Sequence, residues 1–333
     1  MTSQPESLLL TSPHSVAAAL PYLLGFEPRE CVVMLWVRAS RLILTQRLDL
    51  PDDHVGPTPG WIDAAWLPEA MGRADEVVIA LVSDRQGLAP IVAGLMERST
   101  DVEIRDILRV HDGRWWSLLC EDDICCPAEG RAIDPVIAES VRQGFVSEGV
   151  RPLAGREEVE AECRVDPRLQ RAVGQAARSL GLGTEQDEQR RDDTVALIMS
   201  APGSPTPVDL AITISGLGDV VVRDTVLWEM LRCSRPDLLE LGTFLRTCVR
   251  SSTKRGLLRR APVATVAAVA AWLAGDGVRA NTAIDAALDS DPSYSLAILV
   301  GTGLRAGLSP EHWRDSLAGL TRDQCRGGVR VEE

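Results

Sequence analysis

The chain has 333 residues, of which 45% are apolar and 25% charged, and this length is typical of about two domains. The composition is that of a globular protein and excludes a mainly disordered, collagenous or coiled-coil chain. The formal net charge is −13, whereas proteins that bind nucleic acid do so chiefly by neutralising phosphates. Nucleic acid is therefore not an expected partner.

The first predicted element is a helix that begins at Pro13. Ser12 offers a side-chain acceptor to the first turn, and a proline at the first helical position has its φ already set. The helix is expected to run to Leu24 and to end at Gly25, with Pro21 inside it as a point where it could shorten or kink.

Strands and helices then alternate up to residue 119. Residues 31–37 form a nearly continuous apolar run, typical of a buried strand, and residues 41–50 follow as its hairpin partner. Asp112-Gly113 is a strong signal for a tight hairpin. The order αββαβαββ indicates a mixed sheet with helices packed on it. The remaining predictions are helices over 62–73 and 88–98 and strands over 76–82, 102–110 and 114–119.

Helices are predicted for most of the remaining chain, with a linker-like break over 201–207. Small residues three and four apart, at Ala280, Ala283 and Ala287, allow close helix packing. Together with prolines near helix ends, they resemble helical hairpins of the tetratricopeptide type. The predicted helices cover residues 135–144, 155–163, 167–180, 185–200, 219–233, 236–250, 262–274, 278–288 and 293–306, and another begins at Ser309-Pro310.

We therefore expect an α/β fold with a mixed sheet, followed by an all-α, tetratricopeptide-like helical region. The predicted domains are a mixed α/β domain over residues 1–130, a helical connecting segment over 131–207 and an all-α helical-hairpin domain over 208–333.

The sequence lacks the common catalytic motifs. Its single lysine, Lys254, is not preceded by the glycines of a phosphate-binding loop, and no two of its four histidines lie within ten residues of each other. The nucleophile elbow G-x-S-x-G is also missing. No catalytic residue is predicted, and a non-catalytic protein is favoured over an enzyme.

The sequence also bears on the compartment. Residues 1–10 lack the basic and apolar regions of a signal peptide, and the longest apolar stretch, 261–274, is too short to span a bilayer. We expect a cytoplasmic protein with reduced thiols and no membrane partner.

A cysteine cluster is the strongest chemical signal. Cys120, Cys125 and Cys126, with His111 across the hairpin, could share a tetrahedral Zn²⁺. Against this, adjacent cysteines seldom both ligate one ion without strain, and no paired CxxC spacing is present. The alternative is a turn after an edge strand in which the cysteines pack as small apolar residues. The acidic segment 121–123 disfavours a reactive thiolate. No cofactor is required, and zinc is the one that the sequence allows.

Trp115, Trp116 and Asp49 are candidates for binding a small molecule. Neighbouring tryptophans on a strand point to opposite faces, so one is expected in the core and the other could stack on a ligand. Asp49 closes a strand just before Asp52, Asp53 and His54, where carboxylates could act as acids, bases or metal ligands. Edge-strand packing and solvated loop acids are the alternatives.

One basic cluster lies between two predicted helices, in an otherwise acidic chain. It could receive a phosphate or an acidic protein partner, or it could pair with acids of the same molecule. Aromatic residues that would favour RNA are not interleaved with it. We predict it as a partner-binding surface made of Arg250, Lys254, Arg255, Arg259 and Arg260, with Arg246 adjacent.

With these segments in place, the chain resembles the actinobacterial family of unknown function DUF4192. The resemblance extends over nearly the whole chain and implies no activity. One departure is Cys31, where the family commonly has serine. The residues that carry it include Pro21–Pro28, Val32–Met34, Arg47–Pro51, Arg114–Ser117, Cys125–Gly130, Ala271–Gly277 and Asp291–Tyr294.

The sequence thus favours a non-catalytic interaction or regulatory module, in which helical hairpins bind another protein. The alternative is a metal- or small-molecule-dependent enzyme with its site on the α/β domain near the cysteine cluster. The oligomeric state is left open.

Overall fold

In the computed structural model, which describes residues 12–52, 56–99, 102–147, 149–183 and 187–327, the chain forms two units, Met1–Arg156 and Glu157–Glu333. The three-part division given above stays a prediction. Residues 1–11, Asp53, His54 and the predicted helix start at residue 185 lie outside the described residues.

The first unit contains a mixed sheet, as predicted. Among the described residues the strand order is β2-β1-β3-β4-β5-β6. Neighbouring strands pair antiparallel except β3 and β4, which are parallel and are joined by a helix. The strands are β1 (Cys31–Arg38), β2 (Arg41–Asp49), β3 (Glu76–Val82), β4 (Glu103–His111), β5 (Arg114–Ser117) and β6 (Arg131–Ala132).

Both predicted hairpin turns are present. Ala39 and Ser40 join β1 to β2 with φ of 47° and 62°, and Asp112 and Gly113 join β4 to β5 with φ of 46° and 68°. Two consecutive residues at positive φ are the geometry that matches the twist of a two-residue hairpin.

The helices of this unit are α1 (Pro13–Leu24), α2 (Pro59–Ala65), α3 (Pro68–Met71), α4 (Ala89–Arg98) and α5 (Pro135–Ser147), with α6 (Arg156–Ala161) beginning at its last residue. Helix α1 has the predicted cap at Ser12, contains Pro21 and ends at Gly25 with φ of 75°. The prediction of one helix over 62–73 is wrong. Pro68 disfavours helical geometry at the residue before it, so the chain breaks there and a second short helix begins.

The core of the first unit lies on both faces of the sheet. Val32, Met34 and Trp36 of β1 belong to a cluster with residues of α2, α3 and α4, and Trp66 meets Trp36 edge to face. The alternate residues Val33 and Leu35 are also buried, as expected for a strand covered on both faces.

The second unit consists of helices packed around one long apolar helix. Every residue of α12 (Arg260–Leu273) is buried. A helix that is apolar on all sides must be surrounded by others. The remaining helices among the described residues are α7 (Pro167–Ser179), α8 (Glu188–Met199), α9 (Pro207–Gly216), α10 (Val220–Met230), α11 (Arg235–Ser251), α13 (Gly277–Ser290), α14 (Ser295–Arg305), α15 (Pro310–Leu317) and α16 (Arg322–Gly327).

Candidate functional site

One edge of the sheet brings three strand ends together. Cys31 at the start of β1 pairs with Val82 at the end of β3, and Val82 pairs with Val110 near the end of β4. The carboxyl ends of the two parallel strands therefore lie beside the start of β1. Ligands of open α/β sheets bind outside the carboxyl ends of parallel strands.

A cavity of about 1060 Å³ lies at this edge. Residues before β1, residues after β3 and β4, and residues of α1 and α5 form its lining. Apolar side chains of α1 and of the two strands form one part of it, among them Ala17, Leu20, Val82 and Val110. A concave, partly apolar pocket with a few polar groups is the usual form of a small-molecule site.

The two helices that line the cavity, α1 and α5, are connected to the sheet through His14. Its Nδ1 accepts hydrogen bonds from Nε1 of Trp115 on β5, at 3.1 Å, and from the backbone N–H of Asp134 before α5, also at 3.1 Å. Tyr22 of α1 stacks on Phe145 of α5 with ring centroids 5.1 Å apart. These contacts connect α1, α5 and β5 around the cavity.

Glu30 and Ser83 form a rigid part of the lining. Ser83 Oγ donates to Glu30 Oε1 at 2.9 Å and accepts from the backbone N–H of Arg85 at 3.0 Å. Arg85 Nε lies 2.5 Å from Glu30 Oε2. Glu30 has φ of 45°, a strained conformation for a residue with a Cβ that persists only where its surroundings hold it.

Trp116 supports the cavity from outside its lining. Its ring lies under the guanidinium of Arg109, 5.1 Å from the ring centroid to Cζ. Arg109 in turn donates to the carbonyls of Ser83 and Asp84, at 3.4 and 3.1 Å. Of the two tryptophans predicted to bind a small molecule, Trp115 is buried on β5. Trp116 stacks on Arg109, which holds the loop after β3.

The lining is rich in carboxylates, and their partners differ. Glu139 is bound by Arg142, whose hydrogen bonds lower the pKa of that carboxyl to about 2. Glu30 is bound by Ser83 and Arg85, as described. Among the described residues, the carboxylates of Glu27, Asp84 and Asp112 have no hydrogen bond or ion pair, although the charge of Arg29, also in the lining, acts on Glu27.

Glu27 differs from an ordinary surface acid. Burial raises the pKa of its carboxyl, and the charge of Arg29 lowers it by less. The lining therefore holds one carboxylate that is partly desolvated and two more, Asp84 and Asp112, that face solvent. A positively charged ligand would be attracted to all three.

The lining residues Glu27, Glu30, Ser83, Asp84 and Asp112 were not predicted as site residues from the sequence. A signal was available, because Ser83-Asp84 follows a buried strand directly, as His111-Asp112-Gly113 follows another. Polar residues at the ends of two strands are informative only once those strands are known to be parallel neighbours. Of the predicted site residues, His111 is the one that lines this cavity.

The three predicted metal-binding cysteines lie together in the loop after β5. The Sγ atoms of Cys120, Cys125 and Cys126 are all within 4.8 Å of one another. His111 does not belong to this group, since it lies in the cavity lining. Burial and the neighbouring thiol of Cys120 raise the pKa of Cys126, although a backbone hydrogen bond from Ser117 opposes this.

Asp49 lies at the end of β2 and is not part of the cavity lining. Its carboxylate pairs with Arg47 at 2.6 Å and with Arg156 at 3.4 Å. Its carbonyl accepts a hydrogen bond from Nε1 of Trp61 at 2.9 Å. Asp49 is thus an exposed acid that is paired with two arginines of the same unit.

The predicted basic cluster lies in the second unit, and most of its members contact neighbouring groups. Arg250 pairs with Asp166 at 3.7 Å and Lys254 with Asp289 at 3.2 Å. The other three differ in exposure. Arg259 is exposed and donates to the carbonyl of Gly218, Arg260 is buried beside Ser252, and Arg255 is exposed with no side-chain partner among the described residues.

In the part of the chain that the structure describes, no helix combines the length and the apolar character needed to cross a membrane. No curated protein and no solved structure matches the chain. A family model described as "Domain of unknown function (DUF4192)" matches residues 13–311. This match covers most of the sequence and confirms the resemblance noted above, so the chain belongs to the DUF4192 family.

Proposed function

We propose that this protein is a non-catalytic regulatory module whose α/β unit binds a small organic cation in the cavity at the sheet edge. The observation that carries the proposal is the set of unpartnered carboxylates, Glu27, Asp84 and Asp112, around a partly apolar cavity of about 1060 Å³. Carboxylates attract and orient an ammonium or guanidinium group, and the apolar wall accepts its carbon chain.

The rigidity of the lining also supports this proposal. The Glu30–Ser83–Arg85 contacts and the hold of Arg109 on the loop after β3 fix the polar groups before a ligand arrives. A preformed site loses less conformational entropy on binding, which favours affinity.

The experiment compares three probes of equal chain length and different charge: 1,5-diaminopentane, 1,5-pentanediol and glutarate. Calorimetric titration of the full-length protein is expected to show binding of the diamine and no binding of the dianion. Asp84→Asn and Asp112→Asn should each weaken the diamine about tenfold, the effect of losing one charge-assisted hydrogen bond.

The control is Glu97→Gln, which removes the same charge at an exposed position outside the cavity lining. Its affinity for the diamine should equal that of the wild type. Equal binding of all three probes, or equal weakening by Glu97→Gln and Asp84→Asn, would show that the carboxylates of the lining do not select the ligand.

A second proposed function concerns the helical unit, which we propose binds an acidic protein partner in the cytoplasm. Tetratricopeptide-like packing is part of this proposal, and the buried small residues Ala280, Ala283 and Ala287 on α13 support it. The exposed guanidinium groups of Arg255 and Arg259 provide the positive charge that attracts such a partner. All eight cysteines are free, which suits a reducing compartment.

The test of this second function is charge reversal. Arg255→Glu combined with Arg259→Glu should abolish the stoichiometric complex that the tagged wild-type protein forms in extracts of its host. Arg168→Glu, at an exposed position on α7, is the matched control and should leave that complex intact. Retention of the partner by the double variant would rule out this surface.

A further inference from the structure

We propose that Cys120, Cys125 and Cys126 bind one Zn²⁺ ion through three thiolates, at a site separate from the cavity. The three Sγ atoms lie within 4.8 Å of one another. Zinc–sulfur bonds of about 2.3 Å in tetrahedral geometry place sulfur atoms about 3.8 Å apart. Small changes in side-chain torsion therefore bring the three sulfurs to coordination distance.

The turn that presents two of these cysteines is fixed by residues that are not ligands. Asp122 Oδ1 accepts a hydrogen bond from the backbone N–H of Ile124 at 2.8 Å, and its carbonyl accepts one from the N–H of Cys126 at 2.7 Å. The guanidinium of Arg131 donates to the carbonyls of Ile124 and Cys125. A metal site needs such outer contacts to hold its ligands in place.

Both ends of the loop are anchored on the sheet. Before Cys120, the N–H of Leu118 bonds to the carbonyl of Ile107 at 2.7 Å and extends the pairing of β5 with β4. After the cysteines, Trp116 Nε1 donates to the carbonyl of Ala128 at 3.1 Å, and Gly130 packs directly against the Trp116 ring. The loop is therefore anchored to the sheet at both ends, and the three thiols lie between these anchor points.

The donor set selects the ion. Three thiolates are soft ligands and favour zinc over magnesium or calcium, which take oxygen. Three thiolates and Zn²⁺ leave one net negative charge, and the charge of Arg131 lies beside Cys125 and offsets it. Among the described residues no histidine or carboxylate joins the three sulfurs, so the fourth tetrahedral position belongs to water. Cys125 is exposed, which gives the ion an entry path.

A disulfide is the competing chemistry for neighbouring thiols. It would use two of the three sulfurs and leave the third without a partner, whereas one zinc ion uses all three. Zinc binding also involves no change in oxidation state and requires only the release of the thiol protons.

The experiment uses full-length protein purified without oxygen and without added metal chelator. Elemental analysis should find one zinc per chain. Replacement by Co²⁺ should give the sulfur-to-cobalt charge-transfer and d–d bands of a tetrahedral thiolate site. Alkylation with iodoacetamide under native conditions should modify three more cysteines after zinc is removed by a chelator, and peptide mapping should identify them as residues 120, 125 and 126.

Variants separate the site from general effects on folding. The triple replacement of Cys120, Cys125 and Cys126 by serine should lose the metal while keeping the wild-type circular dichroism spectrum. Cys325→Ser, a half-buried cysteine of the second unit, is the matched control and should retain one zinc. The alkylation experiment uses wild-type protein and keeps the proposal testable even if the triple variant does not fold.

Three outcomes would overturn the proposal. They are zinc-free protein that also gives no cobalt bands, metal retained in the triple variant, and a native mass lower by two hydrogen atoms with a disulfide mapped among these cysteines. None of these results depends on whether the cavity binds a cation.

Discussion

Glu27 at the cavity is expected to reduce stability at neutral pH. Burial raises the pKa of its carboxyl, so the folded protein holds this proton more tightly than the unfolded chain. The stability that this proton contributes is complete below the unfolded pKa and is lost as pH rises through the folded pKa. Glu27→Gln should therefore raise the urea midpoint at pH 8 and leave it nearly unchanged near pH 4. The gain should stay below about 1 kcal/mol, because the residue is largely exposed and solvent screens the effect.

Glu97→Gln is the control for this measurement and should not raise the midpoint at pH 8. A midpoint of Glu27→Gln below that of wild type at pH 8 would contradict the argument. In the presence of 1,5-diaminopentane the order should reverse, because the bound cation favours the ionised carboxylate that only the wild type has.

His14 connects α1, β5 and the start of α5 through a single nitrogen that accepts two hydrogen bonds. His14→Ala would leave the indole N–H of the buried Trp115 without an acceptor, and an unsatisfied buried donor costs about 1–3 kcal/mol. Asparagine has an oxygen close to the position of Nδ1, so His14→Asn should retain most of the stability. Urea unfolding of both variants tests this, and equal losses in the two would show that ring packing on Trp115, rather than the acceptor, is what matters.

At the scale of elements, the loop between β5 and β6 depends on the absence of a side chain at residue 130. Gly130 has φ of 74°, and a Cβ there would lie 2.3 Å from the ring of Trp116. Gly130→Ala should therefore displace the indole and weaken its bond to Ala128 and its stacking with Arg109. We expect a loss of about 1–3 kcal/mol from overpacking in addition to the backbone strain of about 1 kcal/mol.

Gly87→Ala isolates the backbone part of this cost, since Gly87 has φ of 79° and open space around it. Chemical unfolding of the two alanine variants should show a larger loss at residue 130. Similar losses would mean that the indole moves freely, and Trp116 would then not anchor the loop that carries the cysteines.

The elements show which local signals predict structure and which do not. Capping residues and glycines place helix α1 and the β4–β5 hairpin correctly, and the apolar run of β1 with its partly alternating neighbour places the β1–β2 hairpin. Similar signals were present before α9, where Thr206 and Asp209 form a capping box and Pro207 is the first helical residue. The preceding Gly- and Pro-rich break concealed them. Strand β6 has two residues, and no periodicity can be detected over such a length. The cavity could not be predicted, because it depends on which strands are neighbours, and strand order follows from long-range packing.

At the scale of the whole molecule, the second unit contains a partly buried ion-pair network centred on Glu162. Burial opposes the charge of Glu162, but hydrogen bonds from Arg279 and the charges of Arg246 and Arg279 outweigh it, so the pKa of this carboxyl is lowered. Arg279 binds both carboxylate oxygens, at 2.7 and 2.8 Å, and Arg246 lies 3.0 Å away. These contacts link α11 and α13 to the residue that follows α6.

A lowered pKa makes this network sensitive to acid. Its contribution to stability is complete above the unfolded pKa of Glu162 and is lost as pH falls through the lower folded pKa. Glu162→Gln should cost on the order of 2–3 kcal/mol at neutral pH, less than for a fully buried pair because the side chain is about one quarter exposed. The variant should also lose part of the acid sensitivity of the wild type, because a glutamine has no proton to gain. Glu157→Gln, an exposed neighbour, should show neither effect.

Hydrogen–deuterium exchange with mass spectrometry can measure both units in one experiment. Each unit has its own core, and cooperative opening follows the boundaries of such cores. In Glu162→Gln, amides of α11 and α13 should exchange faster, while those of β1 and β3 should keep the wild-type rate. If the strand amides accelerate to the same extent, the two units unfold as one cooperative body, and the cost of losing Glu162 is then spread over the whole chain rather than confined to the helices that it connects.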